Sequence, residues 1–360
     1  MNTPKAIQNF PKTYRAKEMR ILAQWLRAGE SGSVVGLPGC GRNNLLNFLC
    51  YRPDVLRGEY LGSEADQIVV IPVDLSHLPT NDAATLYRVI LRAFYWLRQQ
   101  LPDTLQERVT ALYLENRATQ DPFLAQSGLY EMLLAFRSEG VRVALVLNRF
   151  DQFCQEADPR MFATLRSLRD SFKEVLSLIV GLHRDIIYLP NRQALGDLYP
   201  VLDNNVCWIG SMSEADSRWV IQQAIHAAPE RPGEVEIEQI LALSGGFPTL
   251  LRFITGWWLN QTPKPPLDRW LSLLSGEPLF EHRLKELWDG LTQEEQSILA
   301  VTFAGKNQVA TRVKPDYQRI LSHLVTKGVA ANRPGLADEQ QIMGRFYRAT
   351  RSQPGKTGPE

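Results

Sequence analysis

Apolar residues recur along this chain in two patterns, a helical spacing and short unbroken runs. Residues 16–28 place Met19, Leu22 and Leu26 at helical spacing, so a helix is predicted there, and Gly29 follows it as a stop signal. The unbroken apolar runs predict strands that are covered on both faces. These predicted strands are residues 33–35, 67–73, 141–147, 176–180 and 206–209.

Helical patterns separate these strands. Helices are predicted at 43–49, over 83–100, and twice within 103–139. Strands that alternate with helices indicate an α/β fold with a parallel sheet and right-handed crossovers. The alternation then stops. Residues 213–274 contain only helical and turn patterns, with a loop at 261–266, and the chain from Leu279 onward contains three helical stretches and a short strand-like end.

Composition limits the class of protein. The 360 residues carry 40 Lys and Arg against 39 Asp and Glu, a net charge of +1, which excludes a generally basic nucleic-acid coat and an acidic disordered chain. The four cysteines are scattered without CxxC spacing, so we expect buried reduced thiols and no metal site. Neither a signal peptide nor a membrane-length apolar run is present, so a cytoplasmic location without membrane contact is expected.

A glycine-rich loop is the clearest candidate site. GLPGCGRN, residues 36–43, follows a predicted strand, opens a predicted helix, and matches the glycines of the phosphate-binding pattern G-x-x-x-x-G-K-[ST]. Arg42 replaces the lysine, and Asn43 replaces the hydroxyl residue that holds Mg²⁺. The alternative is a glycine turn that binds nothing. The candidate nucleotide-binding residues are Gly36, Pro38, Gly39, Cys40, Gly41, Arg42, Asn43 and Asn44.

Two further strand ends are candidates for phosphate chemistry. After the strand at 141–147, Asn148 and Arg149 stand where nucleotide hydrolases carry an Asp that holds Mg²⁺ and a Glu that positions water. Asp151 is the nearest carboxylate, either a displaced metal partner or a cap of the next helix. His183 and Arg184 follow the strand at 176–180 and are candidate γ-phosphate sensors. The alternative is a salt-bridged or solvated turn. Together these substitutions predict lost hydrolysis and make Mg²⁺ a doubtful ligand.

Four segments resemble the STAND branch of the AAA+ superfamily, the signal-transduction ATPases related to archaeal origin-recognition ATPases. They are KEMRILAQWLRAGESGSVVGLPGCGRNNLL, VALVLNRFDQF, WIGSMSEADSRWVIQQA and LALSGGFPTLLRFI, and the resemblance spans residues 14 to about 255. It implies a P-loop NTPase domain at 1–210 and a helical lid at 211–275. A winged-helix domain at 276–350 and a disordered tail at 351–360 complete the expected organisation.

The resemblance also assigns roles to residues of the lid and the C-terminal region. Pro248 of the Gly-Gly-x-Pro signature is expected near the adenine, and Arg252 is a candidate second sensor. Thr292 and Glu295 have the spacing of a capping box that starts a helix of the winged-helix domain.

Charge is concentrated near the C-terminus. Residues 306–356 hold ten basic and three acidic residues, a local charge of +7, so the remainder of the chain sums to −6. A basic winged helix could contact DNA phosphates, although winged helices of STAND proteins more often serve as protein-interaction or autoinhibitory domains. The candidate contacts to DNA or a partner are Arg312, Lys314, Arg319 and Lys327.

The preferred hypothesis is a degenerate STAND-type switch or adaptor. It binds ATP or ADP with little or no hydrolysis and signals through a protein partner, a role that the resemblance associates with bacterial defence. A DNA-binding relative of origin-recognition or transposition ATPases is one alternative, and an active ATPase with variant motifs is another. Assembly into an oligomer is expected from the resemblance alone.

Overall fold

A computed structural model describes residues 5–75, 78–226, 228–303 and 315–329. The chain forms two compact units. The first runs from the N-terminus to Val35 and from Arg42 to Cys207, and the second comprises Gly36–Gly41 and the chain from Trp208 onward. No helix among the described residues is long and apolar enough to cross a membrane.

The sheet confirms the predicted parallel α/β fold. Its five strands lie in the order β2-β3-β4-β1-β5, and the β1–β4, β2–β3 and β3–β4 pairs are parallel. Asp74 and Asn148, the last residues of β2 and β3, are paired in the register of these two strands. The strands are β1 (Gly32–Gly36), β2 (Ile68–Asp74), β3 (Arg142–Asn148), β4 (Leu176–Leu182) and β5 (Val206–Ile209).

The helices of the first unit include all those predicted before residue 140. The long predicted helix at 83–100 ends as an α-helix at Leu97 and continues as a short 3-10 turn, Arg98–Gln100. The α-helices are α1 (Lys5–Gln8), α2 (Ala16–Ala28), α3 (Arg42–Tyr51), α4 (Pro53–Val55), α5 (Ala83–Leu97), α6 (Asp103–Asn116), α7 (Pro122–Ser138), α8 (Phe150–Glu156), α9 (Pro159–Ser171) and α10 (Leu198–Asp203). The described residues of this unit also form a π-helical turn at Leu56–Leu61 and 3-10 turns at Gly62–Gln67, Ile186–Tyr188 and Arg192–Leu195.

Burial explains why the strands were predictable from sequence. Every residue of β4 is buried, and only the two end residues of β3 are partly exposed. Strands covered on both faces carry continuous apolar runs, which is the pattern that the sequence shows. The four cysteines are buried free thiols, as expected.

The second unit is helical in its described part after β5. Ser213 Oγ accepts the backbone N–H of Asp216 at 3.1 Å and caps the first of its helices. The predicted capping box is confirmed, since Thr292 Oγ1 accepts the N–H of Glu295 at 3.2 Å and Glu295 Oε2 accepts the N–H of Thr292 at 2.9 Å. The helices are α11 (Glu214–Ile225), α12 (Glu234–Ser244), α13 (Pro248–Asn260), α14 (Trp270–Ser275), α15 (Pro278–Asp289), α16 (Gln293–Phe303) and α17 (Pro315–Thr326).

The structure describes only part of the predicted C-terminal region. The predicted loop at 261–266 is irregular, as expected. The strand-like end, the closing helix and the tail at 351–360 lie outside the described residues, as do Arg312 and Lys314. The winged helix and the predicted domain boundaries therefore stay predictions.

Candidate functional site

The glycine-rich loop has the predicted place between a strand and a helix. β1 ends at Gly36 and α3 begins at Arg42. Gly39 and Gly41 have φ angles of 80° and 90°, a region that favours glycine because side chains there clash with the backbone. The loop is also internally bonded, because the N–H of Cys40 donates to the carbonyl of Leu37 at 3.1 Å. The two glycines thus set a tight turn.

Arg42, the first residue of α3, is turned into the first unit. It is only 3% exposed, and its Nη2 lies 3.3 Å from Asn43 Oδ1 and 3.4 Å from His183 Nε2. Gly181 makes room for this arrangement. A Cβ at Gly181 would lie 3.1 Å from Asn148 Oδ1 and 3.6 Å from Arg42 Nε. The structure therefore brings together the lysine-replacing arginine, the aspartate-replacing asparagine and the candidate sensor histidine.

Asp151 holds the other side of His183. Its Oδ2 accepts the backbone N–H of His183 at 3.3 Å and also contacts the ring Nδ1. Burial alone would raise the pKa of Asp151, but the hydrogen bonds with His183 and the positive charge of Arg42 outweigh it, so the pKa is lowered. Asp151 is therefore an ionised carboxylate at neutral pH.

The capping role expected for Asp151 is wrong. Asp151 lies inside the first turn of α8, and the N-cap position belongs to Arg149, whose backbone is left-handed with φ 58°. Asn148 Oδ1 accepts the N–H of Arg149 at 2.9 Å and stabilises this turn. A non-glycine residue in this region is a strained turn, and the short side chain of Asn148 supports it.

The three charged or titratable groups form a donor chain. When Arg42 donates to His183 Nε2, the ring proton sits on Nδ1 and is donated to Asp151. The second ring nitrogen, Nε2, faces the guanidinium donor of Arg42. The chain holds Arg42 in place, and both ring nitrogens of His183 have partners. This chain is called the Arg42–His183–Asp151 relay below.

Within the second unit, the first turn of α13 contacts the loop. Thr249 Oγ1 donates to the carbonyl of Gly39 at 3.1 Å, and the N–H of Thr249 donates to the same oxygen at 3.4 Å. Pro248 is the first residue of α13, Gly245 and Gly246 have φ angles of 55° and 76°, and the preceding helix ends at Ser244. The Gly-Gly-x-Pro signature thus builds the turn between α12 and α13.

The overall structure matches a known ATPase. It superposes on the Walker-type ATPase of Pyrococcus abyssi with a TM-score of 0.53 and 15% identity, over 96% of this chain and 99% of that chain. The chain has the fold of a P-loop ATPase. Looser likenesses, both with TM-scores of 0.44, are the Aeropyrum pernix ORC2 protein in its ADPNP–ADP complexes (13% identity, 94% of each chain) and the ORC1 protein of the same organism in complex with DNA (14% identity, 98% of this chain and 95% of that one). No protein-family model and no curated protein sequence matches the chain.

In this P-loop ATPase fold, the other predicted site residues differ in exposure. Arg184 is exposed, and Asn43 and Asn44 are half-buried in the first turn of α3, where Asn43 contacts Arg42. Arg252 is exposed on α13. Among the described residues, no cluster of three His, Cys, Asp or Glu side chains could hold a metal ion.

The prediction that Lys327 contacts DNA or a partner from an exposed basic surface is wrong, because Lys327 is buried. It is 6% exposed, its Nζ lies 2.5 Å from Glu295 Oε1, and it stands 5.1 Å from the centre of the Trp208 ring. A buried ammonium that is paired with a carboxylate is not presented to DNA phosphates. Arg319, by contrast, is exposed.

One residue beside the relay was missed from sequence. Asp74, the last residue of β2, lies next to Asn148 in the ladder and lines a cavity of about 250 Å³ with Arg92 and Trp96. The signal that could have found it is its position at the end of an apolar strand, because carboxyl ends of parallel strands meet at one edge of the sheet.

Proposed function

We propose that the protein is a degenerate STAND- or AAA+-type nucleotide switch or adaptor, which binds ATP or ADP, hydrolyses it little or not at all, and signals through a protein partner. The observation that carries this proposal is the Arg42–His183–Asp151 relay. It occupies the region where a P-loop ATPase would need a lysine, a free polar sensor and a pair of catalytic carboxylates.

Nucleotide binding is supported by the backbone of the loop. A phosphate is bound at such a loop by N–H groups and by the positive end of the following helix, and neither depends on the side chains at 42 and 43. Gly39 and Gly41 adopt positive φ angles, and α3 begins directly after them. Arg42 adds a buried positive charge at the start of that helix.

Magnesium fits this site poorly. Asn43 stands where a hydroxyl would bind Mg²⁺, and its Oδ1 lies 3.3 Å from the Arg42 guanidinium, so a divalent cation there would be placed against a positive charge. Asn148 uses its side-chain oxygen to bond the Arg149 N–H. Both of the protein oxygens expected to serve the metal are therefore already engaged.

Loss of hydrolysis follows from the same residues. Arg149 cannot position an attacking water as a carboxylate would, and Asp151 is engaged by His183. Removing one positioned electrostatic group costs on the order of 10²–10³-fold in rate. The loss of several leaves little activity.

The decisive experiment is to denature purified protein and separate any released nucleotide by chromatography, with thermal shifts in ATP and ADP as a second measurement. We expect an adenine nucleotide in the released fraction or a clear thermal shift. If no nucleotide is released and neither ATP nor ADP shifts the melting temperature, the protein is a scaffold that binds no adenine nucleotide. Turnover on the order of one per second that is abolished by Arg42→Ala would instead establish an active ATPase.

DNA binding has weaker support, because Lys327 is buried. It is tested by reversing the charges of Arg312, Lys314 and Arg319 and measuring duplex binding at low salt. Salt-dependent binding by the wild type that is lost in the variant would favour the origin-recognition-like alternative.

A further inference from the structure

The lid helix α13 begins without a cap of its own. Its N-cap residue, Phe247, has no side-chain acceptor, and Pro248 follows at the first helical position. The first N–H groups of a helix lack intrahelical acceptors, so an outside acceptor is needed. The carbonyl of Gly39 supplies one, through the N–H of Thr249 at 3.4 Å and its Oγ1 at 3.1 Å.

The close approach depends on glycine at position 39. A Cβ there would lie 2.8 Å from Thr249 Oγ1 and 3.1 Å from Thr249 Cβ, and the φ angle is 80°. The loop also packs against the end of α15 within the second unit. A Cβ at Gly290 would lie 2.9 Å from Pro38 Cδ and 3.0 Å from Leu37 Cδ2.

One peptide plane connects this cap to the inside of the loop. The Gly39 carbonyl and the Cys40 N–H belong to the same planar peptide, so neither can rotate without the other. The carbonyl accepts from Thr249, while the N–H donates to Leu37 at 3.1 Å. The plane is thereby fixed from both ends.

We infer that Thr249 is a positioning residue that couples phosphate binding in the loop to the lid helix. A phosphate oxygen that takes the Cys40 N–H must break its bond to Leu37 and turn the peptide plane, which moves the Gly39 carbonyl away from Thr249. The bond from Thr249 therefore opposes phosphate binding, and binding uncaps α13. This inference rests on the proposed nucleotide binding.

The test compares Thr249→Val, Thr249→Ser and Thr255→Val. Valine removes the hydroxyl with little change of shape, serine retains it, and Thr255 is a matched control because its Oγ1 donates to Leu251 within α13. ADP is titrated by calorimetry with and without Mg²⁺. We expect Thr249→Val to bind ADP roughly threefold to tenfold more tightly than wild type, as loss of one neutral hydrogen bond predicts, while the other two variants match wild type.

Hydrogen exchange supplies a readout that does not depend on nucleotide. Without ADP, Thr249→Val should exchange faster than wild type in the first turn of α13 and in residues 36–41, and Thr255→Val should not affect the loop. In the wild type, ADP should speed exchange in the first turn of α13.

The outcomes separate the two proposals. A wild type that binds no ADP contradicts the proposed function, whatever the exchange data show. ADP binding that Thr249→Val leaves unchanged or weakens overturns the coupling and leaves the proposed function standing. Unchanged exchange in both segments of Thr249→Val overturns the coupling as well.

Discussion

The loop Gly36–Gly41 and the relay that begins at Arg42 are consecutive in the chain, yet they differ in how closely they match a phosphate-binding ATPase. The loop has both pattern glycines, Gly36 and Gly41, and Gly39 and Gly41 adopt positive φ angles. Beside the relay, the positions that would handle lysine chemistry, metal and water carry Arg42, Asn43, Asn148 and Arg149. Backbone recognition and side-chain chemistry are thus separable, since binding needs oriented N–H groups while hydrolysis needs several side chains at once.

The largest expected effect comes from the relay. Arg42→Ala retains the backbone of the loop but removes the buried positive charge at the start of α3. It should weaken ADP binding by about 10- to 100-fold, because a hydrogen bond between phosphate and a charged group contributes about 1.5–3 kcal/mol. Titration by calorimetry measures it. Arg252→Ala, at an exposed position of α13, serves as the control and should bind like wild type. A loss in the control as large as in Arg42→Ala would instead make Arg252 a phosphate sensor.

The loop gives the next effect. Gly41→Ala should destabilise the protein by about 1–2 kcal/mol, because alanine is disfavoured at a φ of 90°, and should weaken ADP binding. Denaturant unfolding gives the free energy. Gly256→Ala is the matched control, since no atom lies within 4 Å of the added Cβ and alanine favours the interior of α13. Equal stability of the Gly41 variant and wild type would show that the loop conformation is not strained by a side chain.

Acid should act on the relay and leave the loop unaffected. The lowered pKa of Asp151 means that its contribution to stability is complete above the usual aspartate pKa of about 3.9 and is lost as the pH falls through the lower folded value. Asp151→Asn should therefore be less stable than wild type at pH 7, with the difference shrinking in strong acid. Urea unfolding at several pH values measures this. A stability difference between wild type and Asp151→Asn that grows as the pH falls would contradict this prediction.

The smallest effect is expected from partial repair. Arg42→Lys combined with Asn43→Thr returns the pattern residues to the loop, but Asn148 and Arg149 remain in place of the carboxylates. Phosphate release should stay at background, while ADP binding persists. Rapid turnover in this double variant would show that the loop substitutions alone prevent hydrolysis.

Features that depend on neighbouring residues could be predicted from the sequence, whereas contacts between residues far apart in the chain could not. Strand runs, the loop and the Thr292–Glu295 box depend on neighbouring residues, and all three were predictable. The relay joins Asp151 to His183 across 32 positions, and the contact of Thr249 with Gly39 spans 210. Such pairs leave no periodic signal. No bounds were predicted for helices α8 and α9. Helix α8 has only seven residues, and the backbone of its N-cap residue, Arg149, is left-handed.

The chain passes from one compact unit to the other after Val35, after Gly41 and after Cys207. A recombination event or a proteolytic cut near residue 207 would therefore not release a self-sufficient C-terminal piece, because the six residues that cap α13 and pack on Gly290 would remain with the other fragment. Thr249 would lose its acceptor in the same event. A chimera that swaps the helical half must therefore bring its own residues 36–41.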